Sequence, residues 1–417
     1  MIVLEFKLKG LFEQFHILDE MIRTAQFIRN KALRFWIDNY GTKPYDLNKY
    51  CKVLADNPGF PWAKKLNSQA RQSSAERAAY AIQRFFANCK TKKTGKKGYP
   101  KFQKNNRSVE YKTTGWKLSE DKRFLTFTDG FNAGRFKLIG SRDLHFYQEA
   151  QIKRLRVVRR ADGYYAQLCV EAERNVDLEP TGRTLGIDMG LNIFYTDSAG
   201  ISVDNPRFLR KAEQSLKRLQ RRVSKKKKGS KNRIKARKRL ARKHLKVSRQ
   251  RKDHAVKTAR ALILSNDVVV YEKLQVCNMV RNHCLAKSIS DASWSLFAEW
   301  LEYFGKVFGK ITIAVNPAYT SQECSNCRTM VVKSLSTRTH ICRCGCVLDR
   351  DENAAINILQ KGLKQYPGAL GNSHNGLDRL QTLVESLAAT GLGESLNQQA
   401  ISLCPAAVRE KQESQGL

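Results

Sequence analysis

Residues 342–359 read "CRCGCVLDRDENAAINIL", and this one run carries two kinds of metal ligand. Cys342, Cys344 and Cys346 offer thiolates, which suit zinc; Asp349, Asp351 and Glu352 offer carboxylates, which suit magnesium. The second half predicts a helix from about residue 351. Asp349 stands three residues before Glu352, the spacing of a capping box, which gives Asp349 a structural role. Asp351 falls in the first turn, with Ala354, Ala355 and Ile358 as its i+3, i+4 and i+7 neighbours. That apolar stripe predicts packing on a sheet, with Asp351 on the buried side. The chain therefore needs a sheet to receive this helix, and a second thiolate pair to complete the metal site before it.

The thiolate pair lies upstream. Cys324-x-x-Cys327 and Cys342-x-Cys344 bracket fourteen residues. Two such hairpins deliver four sulfurs to tetrahedral zinc, and a site so filled has no position for water, so it is structural. One Zn²⁺ would fold a segment too small to hold a core of its own. The second pair is C-x-C rather than C-x-x-C, so Cys346 is an alternative ligand and His340 a weaker substitute.

Strands for the sheet precede the knuckle. In "TGRTLGIDMGLNIFYTDSAG", residues 181–200, Leu185 and Ile187 alternate with Gly186 and Asp188, and a second strand returns through Phe194 and Thr196. "NDVVVYEKL", residues 266–274, is a short apolar strand on which Val268, Val270 and Glu272 share a face. "KITIAVNP", residues 310–317, predicts another. Residues 289–310 predict a helix with Trp294, Phe297, Leu301 and Phe304 on one side. Asp188 and Glu272 thus each end a strand. A lone acid there is usually a surface residue. Three acids converging without basic partners would repel one another, and divalent cations relieve that repulsion. Two Mg²⁺ about 4 Å apart can activate water and stabilise the leaving oxygen of a phosphodiester.

The N-terminal half follows another pattern. "IVLEFKLK" places Ile2, Leu4, Phe6 and Leu8 on one side of a strand; residues 12–90 read as helices, and 105–181 as strands with a hairpin at Ala161-Asp162-Gly163. The basic stretch 91–104 reads as a loop. Residues 364–417, rich in Gly, Ser, Asn and Gln, predict a mobile tail.

Charge narrows the partners. The 417 residues carry 76 Lys and Arg against 38 Asp and Glu, a formal +38, which favours polyanions and nucleic acid first among them. Residues 207–260 alone hold 25 basic residues and two acids. Leu209, Ala212, Leu216, Leu219 and Val223 form a heptad stripe there; after a break at Gly229-Ser230, Ala241, Leu245, Ala255, Ala259 and Leu262 form a second. The pattern predicts a helical hairpin with an apolar seam and basic outer faces. Its candidate nucleic-acid contacts are Lys217, Arg218, Arg221, Arg222, Lys225, Lys226, Lys227, Lys228, Lys231, Arg233, Arg237, Lys238 and Arg242. No secretory signal or membrane span is expected, and the scattered cysteines fit a reducing cytoplasm.

"GIDMGL", "YEKLQVCNM", "ISDASWSLF", "PAYTSQECSNC" and "CGCVLDRDENAAINIL" occur in the order found in the TnpB (OrfB) family of insertion-sequence proteins, relatives of type V CRISPR effectors. The chain resembles that family over roughly residues 1–363. The resemblance implies an α/β multidomain fold. Its parts are a wedge β-barrel (1–10 and 91–181) interrupted by a helical recognition domain (11–90), then a RuvC-like, RNase H-type nuclease domain (182–363). The hairpin (206–263) and a zinc ribbon (318–347) belong to the last. Asp188, Glu272 and Asp351 fall at the family's catalytic positions. The implied partners are a guide RNA from the transposon end, with one protein chain per RNA, and double-stranded target DNA with its displaced strand. The implied cofactors are two catalytic Mg²⁺ and one structural Zn²⁺, and the implied location is the cytoplasm of a prokaryote, at the nucleoid. Arg328 stands where the family usually has glycine. Three other readings compete: an RNA-guided regulator that binds without cutting, a transposase or its accessory protein, and a plain zinc-ribbon RNA-binding protein. The intact acids oppose the first and last. A strand-transfer enzyme of this kind needs a His-x-His pair, and none of the seven histidines forms one.

Overall fold

The computed structural model describes residues 1–365 apart from 92–94, 177 and 335. The basic loop expected at 91–104 is thus described only in part, and the expected C-terminal tail lies outside the described residues from 366 onward. The chain divides into two units between Glu173 and Arg174.

The first unit opens with β1 (Ile2–Lys9), whose alternation buries Ile2, Leu4, Phe6 and Leu8. Three helices follow, α1 (Phe12–Asp38), α2 (Pro44–Asp56) and α3 (Ser68–Lys90). Then come β2 (Ser108–Tyr111), β3 (Trp116–Leu118), β4 (Phe124–Phe127), β5 (Gly134–Ile139), β6 (Ile152–Arg160) and β7 (Gly163–Val170). These strands form a seven-stranded sheet in the order β2-β6-β7-β1-β5-β4-β3. β1 sits at its centre, antiparallel to both β5 and β7, so the helices are an insertion between the central strand and the rest. The β6–β7 turn is Ala161-Asp162, with Arg160 opposite Gly163. Burial alone would raise the Glu110 carboxyl, but Arg156, Arg77 and Arg154 draw it down to about 2.

The second unit holds a five-stranded sheet. β8 (Thr184–Asp188), β9 (Ile193–Asp197) and β10 (Ser202–Asp204) form an antiparallel meander. The helical hairpin α4 (Phe208–Ser224) and α5 (Lys231–Ser265) then carries the chain to β11 (Val268–Glu272), which lies parallel to β8 on its other side. After α6 (Val276–Met279), α7 (Ala286–Ala292) and α8 (Trp294–Val307), β12 (Ile311–Val315) adds in parallel beyond β11. The order is β10-β9-β8-β11-β12. Parallel neighbours require long crossovers, which these helices provide. All five residues of β11 are buried, as a central parallel strand requires. The knuckle follows, ending in the hairpin β13 (Thr339–Ile341) and β14 (Val347–Asp349), and α9 (Arg350–Gln365) closes the described chain.

The single helix expected over 289–310 is two. Ser293 takes a left-handed φ of +58°, which ends α7 and starts α8. Trp294, Phe297, Leu301 and Phe304 are nonetheless all buried. In the hairpin, Ala212, Leu216 and Val223 are buried as expected, and so on α5 are Ala255, Ala259 and Leu262; Leu245 is half-buried, Ala241 is exposed, and Leu240 and Val247 pack against α4 in addition.

α9 lies directly on the sheet, with Ala354, Ala355 and Ile358 buried. The approach is close enough that a Cβ on Gly186 would stand 2.2 Å from the Ala355 carbonyl oxygen. Gly186→Ala should therefore cost about 3 kcal/mol or more, because the clash is with helix backbone that has no rotamer to yield. Denaturant unfolding of the variant checks this.

Candidate active site

The strand register places the first two acids. Tyr271 pairs with Ile187, so the next residues along these parallel strands, Glu272 and Asp188, stand side by side at the carboxyl ends of β11 and β8. Adjacent strands are about 4.8 Å apart, and residues in register share a face. Glu272 is buried at 7 % exposure, whereas Asp188 keeps some surface open to solvent. Burial pushes the Asp188 carboxyl well above the usual range, with Glu272 and then Asp351 adding repulsion; Arg350 opposes them and Asp349 adds to them. Burial also raises Glu272, against a hydrogen bond from Thr320 and the charge of Lys361. Asp351 arrives from the first turn of α9. Each of the three thus comes from a different element, and Glu272 and Asp351 both lie within electrostatic reach of Asp188.

Asp351 departs from expectation in one respect. It has basic partners. Arg350 donates to Asp351 Oδ1 from Nε at 3.1 Å and from Nη2 at 3.0 Å, and Arg338 donates to Oδ2 at 3.3 Å. The β13–β14 hairpin causes this, because the Arg350 N–H donates to the Arg338 carbonyl at 2.6 Å and so brings both side chains to the helix start. Asp351 must loosen this fork before it can hold a cation. Among the described residues, the groups whose ligand atoms all fall within 4.8 Å of one another contain cysteine and histidine, not these acids. Asp349 caps the helix, its Oδ1 accepting the Asp351 N–H at 2.8 Å. The reciprocal half of the expected capping box is not formed. Glu352 turns instead toward Gly200, close enough that a Cβ there would lie 3.2 Å from its Oε1.

The sulfurs of Cys324, Cys327, Cys342 and Cys344 do form such a group. Cys324 and Cys344 are 3.7 Å apart, Cys327 and Cys342 3.5 Å. A tetrahedral zinc with Zn–S bonds near 2.3 Å has S···S edges of about 3.8 Å, so the spacing fits that ion. Hydrogen bonds with Thr329 draw the Cys327 thiol down to about 6, toward the thiolate that a metal requires. Cys346 belongs to a separate group with Cys324 and His340. Arg328 adopts the left-handed φ of +67° that a glycine would favour, and its guanidinium reaches Asn357 Oδ1 at 3.3 Å.

Sequence reasoning missed how this knuckle is fastened. Asn353 and Asn357 are both wholly buried on α9, about one turn apart. Asn353 donates to the Glu323 carbonyl at 2.8 Å and accepts the Ser325 N–H at 2.9 Å. Asn357 donates to the carbonyls of Thr320 at 2.9 Å and Glu323 at 2.7 Å. Thr320 in turn donates its hydroxyl to Glu272 Oε1 at 2.6 Å. The available signal was two asparagines four residues apart inside a helix, where asparagine is a poor helix former and needs a tertiary reason.

The basic hairpin presents its charge outward. Lys217, Arg218, Arg221, Arg222, Lys225, Lys226, Lys227, Lys228, Lys231, Arg237, Lys238 and Arg242 are exposed. Lys217 pairs with Glu213 at 2.9 Å, and half-buried Arg233 donates to the Lys226 carbonyl at 2.8 Å. Asp291 anchors the hairpin base, accepting the Leu209 N–H and Arg251 Nε, each at 2.9 Å.

Known proteins resemble this chain. Residues 167–283 match the family described as "Probable transposase" (OrfB of IS605), and residues 294–358 match the Cas12f1-like TNB domain. A Streptomyces pristinaespiralis protein named "Putative RNA-guided DNA endonuclease" is 33 % identical over 299 residues, which is 71 % of this chain and 73 % of that one. The chain belongs to the TnpB (OrfB) family. The Escherichia coli K12 relative InsQ, which bears the same description, is 26 % identical across 82 % of this chain and 88 % of its own. Among solved structures, a Cas12f1–sgRNA–target DNA complex matches with a TM-score of 0.51 at 15 % identity, covering 84 % of this chain and 83 % of that one. That likeness shows that this TnpB-family chain has the fold of a Cas12f1 protein. No helix among the described residues is long and apolar enough to cross a membrane.

Proposed function

We propose that this chain is a transposon-associated, RNA-guided DNA endonuclease that cuts target DNA beside a short flanking motif. One observation carries the reading: Asp188 and Glu272 end adjacent parallel strands in register, and Asp351 stands in the first turn of α9, the helix packed on that sheet, within electrostatic reach of Asp188. The strand order of that sheet, three antiparallel strands extended by two parallel ones, supports a RuvC-like nuclease domain of RNase H type. The first unit supports the wedge and helical recognition assignment, because its helices are inserted between the central strand and the remaining six.

In this reading Asp188, Glu272 and Asp351 hold two Mg²⁺. When bound, these ions supply an activated water and charge stabilisation for the leaving oxygen of the phosphodiester. The carboxylates fix the site, and the rigid strands and the close seat of α9 hold them there. Arg338 and Arg350 balance Asp351 until it is needed. Cys324, Cys327, Cys342 and Cys344 hold one structural Zn²⁺. The hairpin lysines and arginines bind RNA and DNA through phosphates, leaving sequence to be read by base pairing. The names of the relatives support the guide RNA and the DNA target. We place the protein at the nucleoid of a prokaryotic cytoplasm, one chain per RNA.

The test is to purify the protein with its RNA, sequence that RNA, and present matching DNA carrying randomised flanks. Cleavage should need the RNA, Mg²⁺ and one short flanking motif. Cleavage that ignores the RNA, or none with any flank, would refute the reading.

A further inference from the structure

We propose that Thr320 is a positioning residue for the Glu272 carboxylate, locking the strand acid to the helix that carries Asp351. This rests on the acidic-site reading above and extends it to a residue that binds no metal itself. Thr320 is 4 % exposed and is held at both its polar ends. Its hydroxyl donates to Glu272 Oε1 at 2.6 Å. Its carbonyl accepts Asn357 Nδ2 at 2.9 Å, from the helix that bears Asp351. Asn357 has no freedom to drift, because the same amide donates to Glu323 and its oxygen accepts from Arg328.

The hydroxyl has one hydrogen and two acceptors in reach, Glu272 and the Pro317 carbonyl at 3.0 Å. The contact with Glu272 is the shorter of the two, so the hydrogen goes to Glu272. That bond fixes Oε1 and with it the plane of the carboxylate. Without it, a buried carboxylate oxygen would lose its donor and rotate. Thr320 therefore sets the orientation of one acid and, through Asn357, the spacing between two. Partners of this kind around a metal ligand change metal affinity roughly 10- to 100-fold when removed.

The experiment compares Thr320→Val, which keeps shape and loses the hydroxyl, with Thr320→Ser, which keeps the hydroxyl, and with Glu272→Gln. Mn²⁺ binding to the full chain is followed by electron paramagnetic resonance, and the Mg²⁺ dependence of cleavage is measured on the RNA-loaded protein. Thr320→Val should weaken Mn²⁺ binding and raise the Mg²⁺ needed for half-maximal cleavage roughly tenfold or more, with RNA and DNA affinity unchanged. Thr320→Ser should behave as wild type. If Thr320→Val matches wild type while Glu272→Gln is impaired, the positioning role is refuted and the acidic site stands. Equal impairment of the valine and serine variants likewise overturns it, since packing rather than the hydroxyl would then be responsible. If Glu272→Gln binds Mn²⁺ and cleaves normally, the acidic-site reading fails and takes this inference with it.

Discussion

Asp188→Ala should bind guide RNA and target DNA as tightly as wild type and cleave at least about 10³-fold more slowly. A metal-holding carboxylate contributes several kcal/mol to the transition state, and each 1.36 kcal/mol is a factor of ten. Binding should be spared because Asp188 is an anion facing a polyanion; removing it takes away repulsion. Folding should improve. Burial and the neighbouring Glu272 and Asp351 make the ionised Asp188 unfavourable in the folded chain, so without divalent cations at neutral pH the alanine variant should melt at a higher temperature. A gain in stability together with lost cleavage is the signature of a residue kept for chemistry. Cleavage within tenfold of wild type would remove Asp188 from the site, and with it the proposed nuclease.

The parts of this site that local pattern encodes were legible. Short apolar runs ended by an acid identify β8 and β11, and the Asp351–Ala354–Ala355–Ile358 spacing identifies the face of α9 that meets the sheet. What makes Asp188 and Glu272 neighbours is different in kind. It is the pairing of strands 80 residues apart in sequence, which alternation along either strand cannot express. The arginine fork on Asp351 fails to show for the same reason: the β13–β14 register brings Arg338 to Arg350, and eleven residues separate them. Helix breaks are hard to read when the breaking residue is not glycine or proline. Ser293 takes left-handed backbone that its side chain does not advertise. The buried amides of α9 show a further limit. A polar pair inside a helix announces that something must satisfy it, and only the tertiary fold says that the partner is the knuckle.

The second large effect should come from the knuckle's first thiolate pair. Cys324→Ser/Cys327→Ser should lose its zinc, expose the backbone amides of residues 318–349 to hydrogen exchange, and abolish cleavage. Apolar burial cannot substitute, for Met330, Val332, Ile341 and Val347 are all exposed, Val332 at 88 %. Structural zinc in comparable small modules contributes about 10–16 kcal/mol in apparent binding free energy, so zinc bound to the proposed four-cysteine site would hold this segment together. The loss should also travel. Thr320 and Glu323 lie within four residues of Cys324 and carry the hydrogen bonds to Glu272 and Asn357, so amides near Glu272 should exchange faster as well. Cys346→Ser should keep its zinc, since Cys346 groups with His340 and Cys324 rather than with the four-sulfur set. Zinc content by mass spectrometry separates these outcomes. Zinc lost from Cys346→Ser and retained by the double serine variant would reassign the ligands. Zinc lost from the double variant with no change in exchange at Glu272 would mean that the knuckle and the acids fold independently, and that the buried amides of α9 only fasten the knuckle in place.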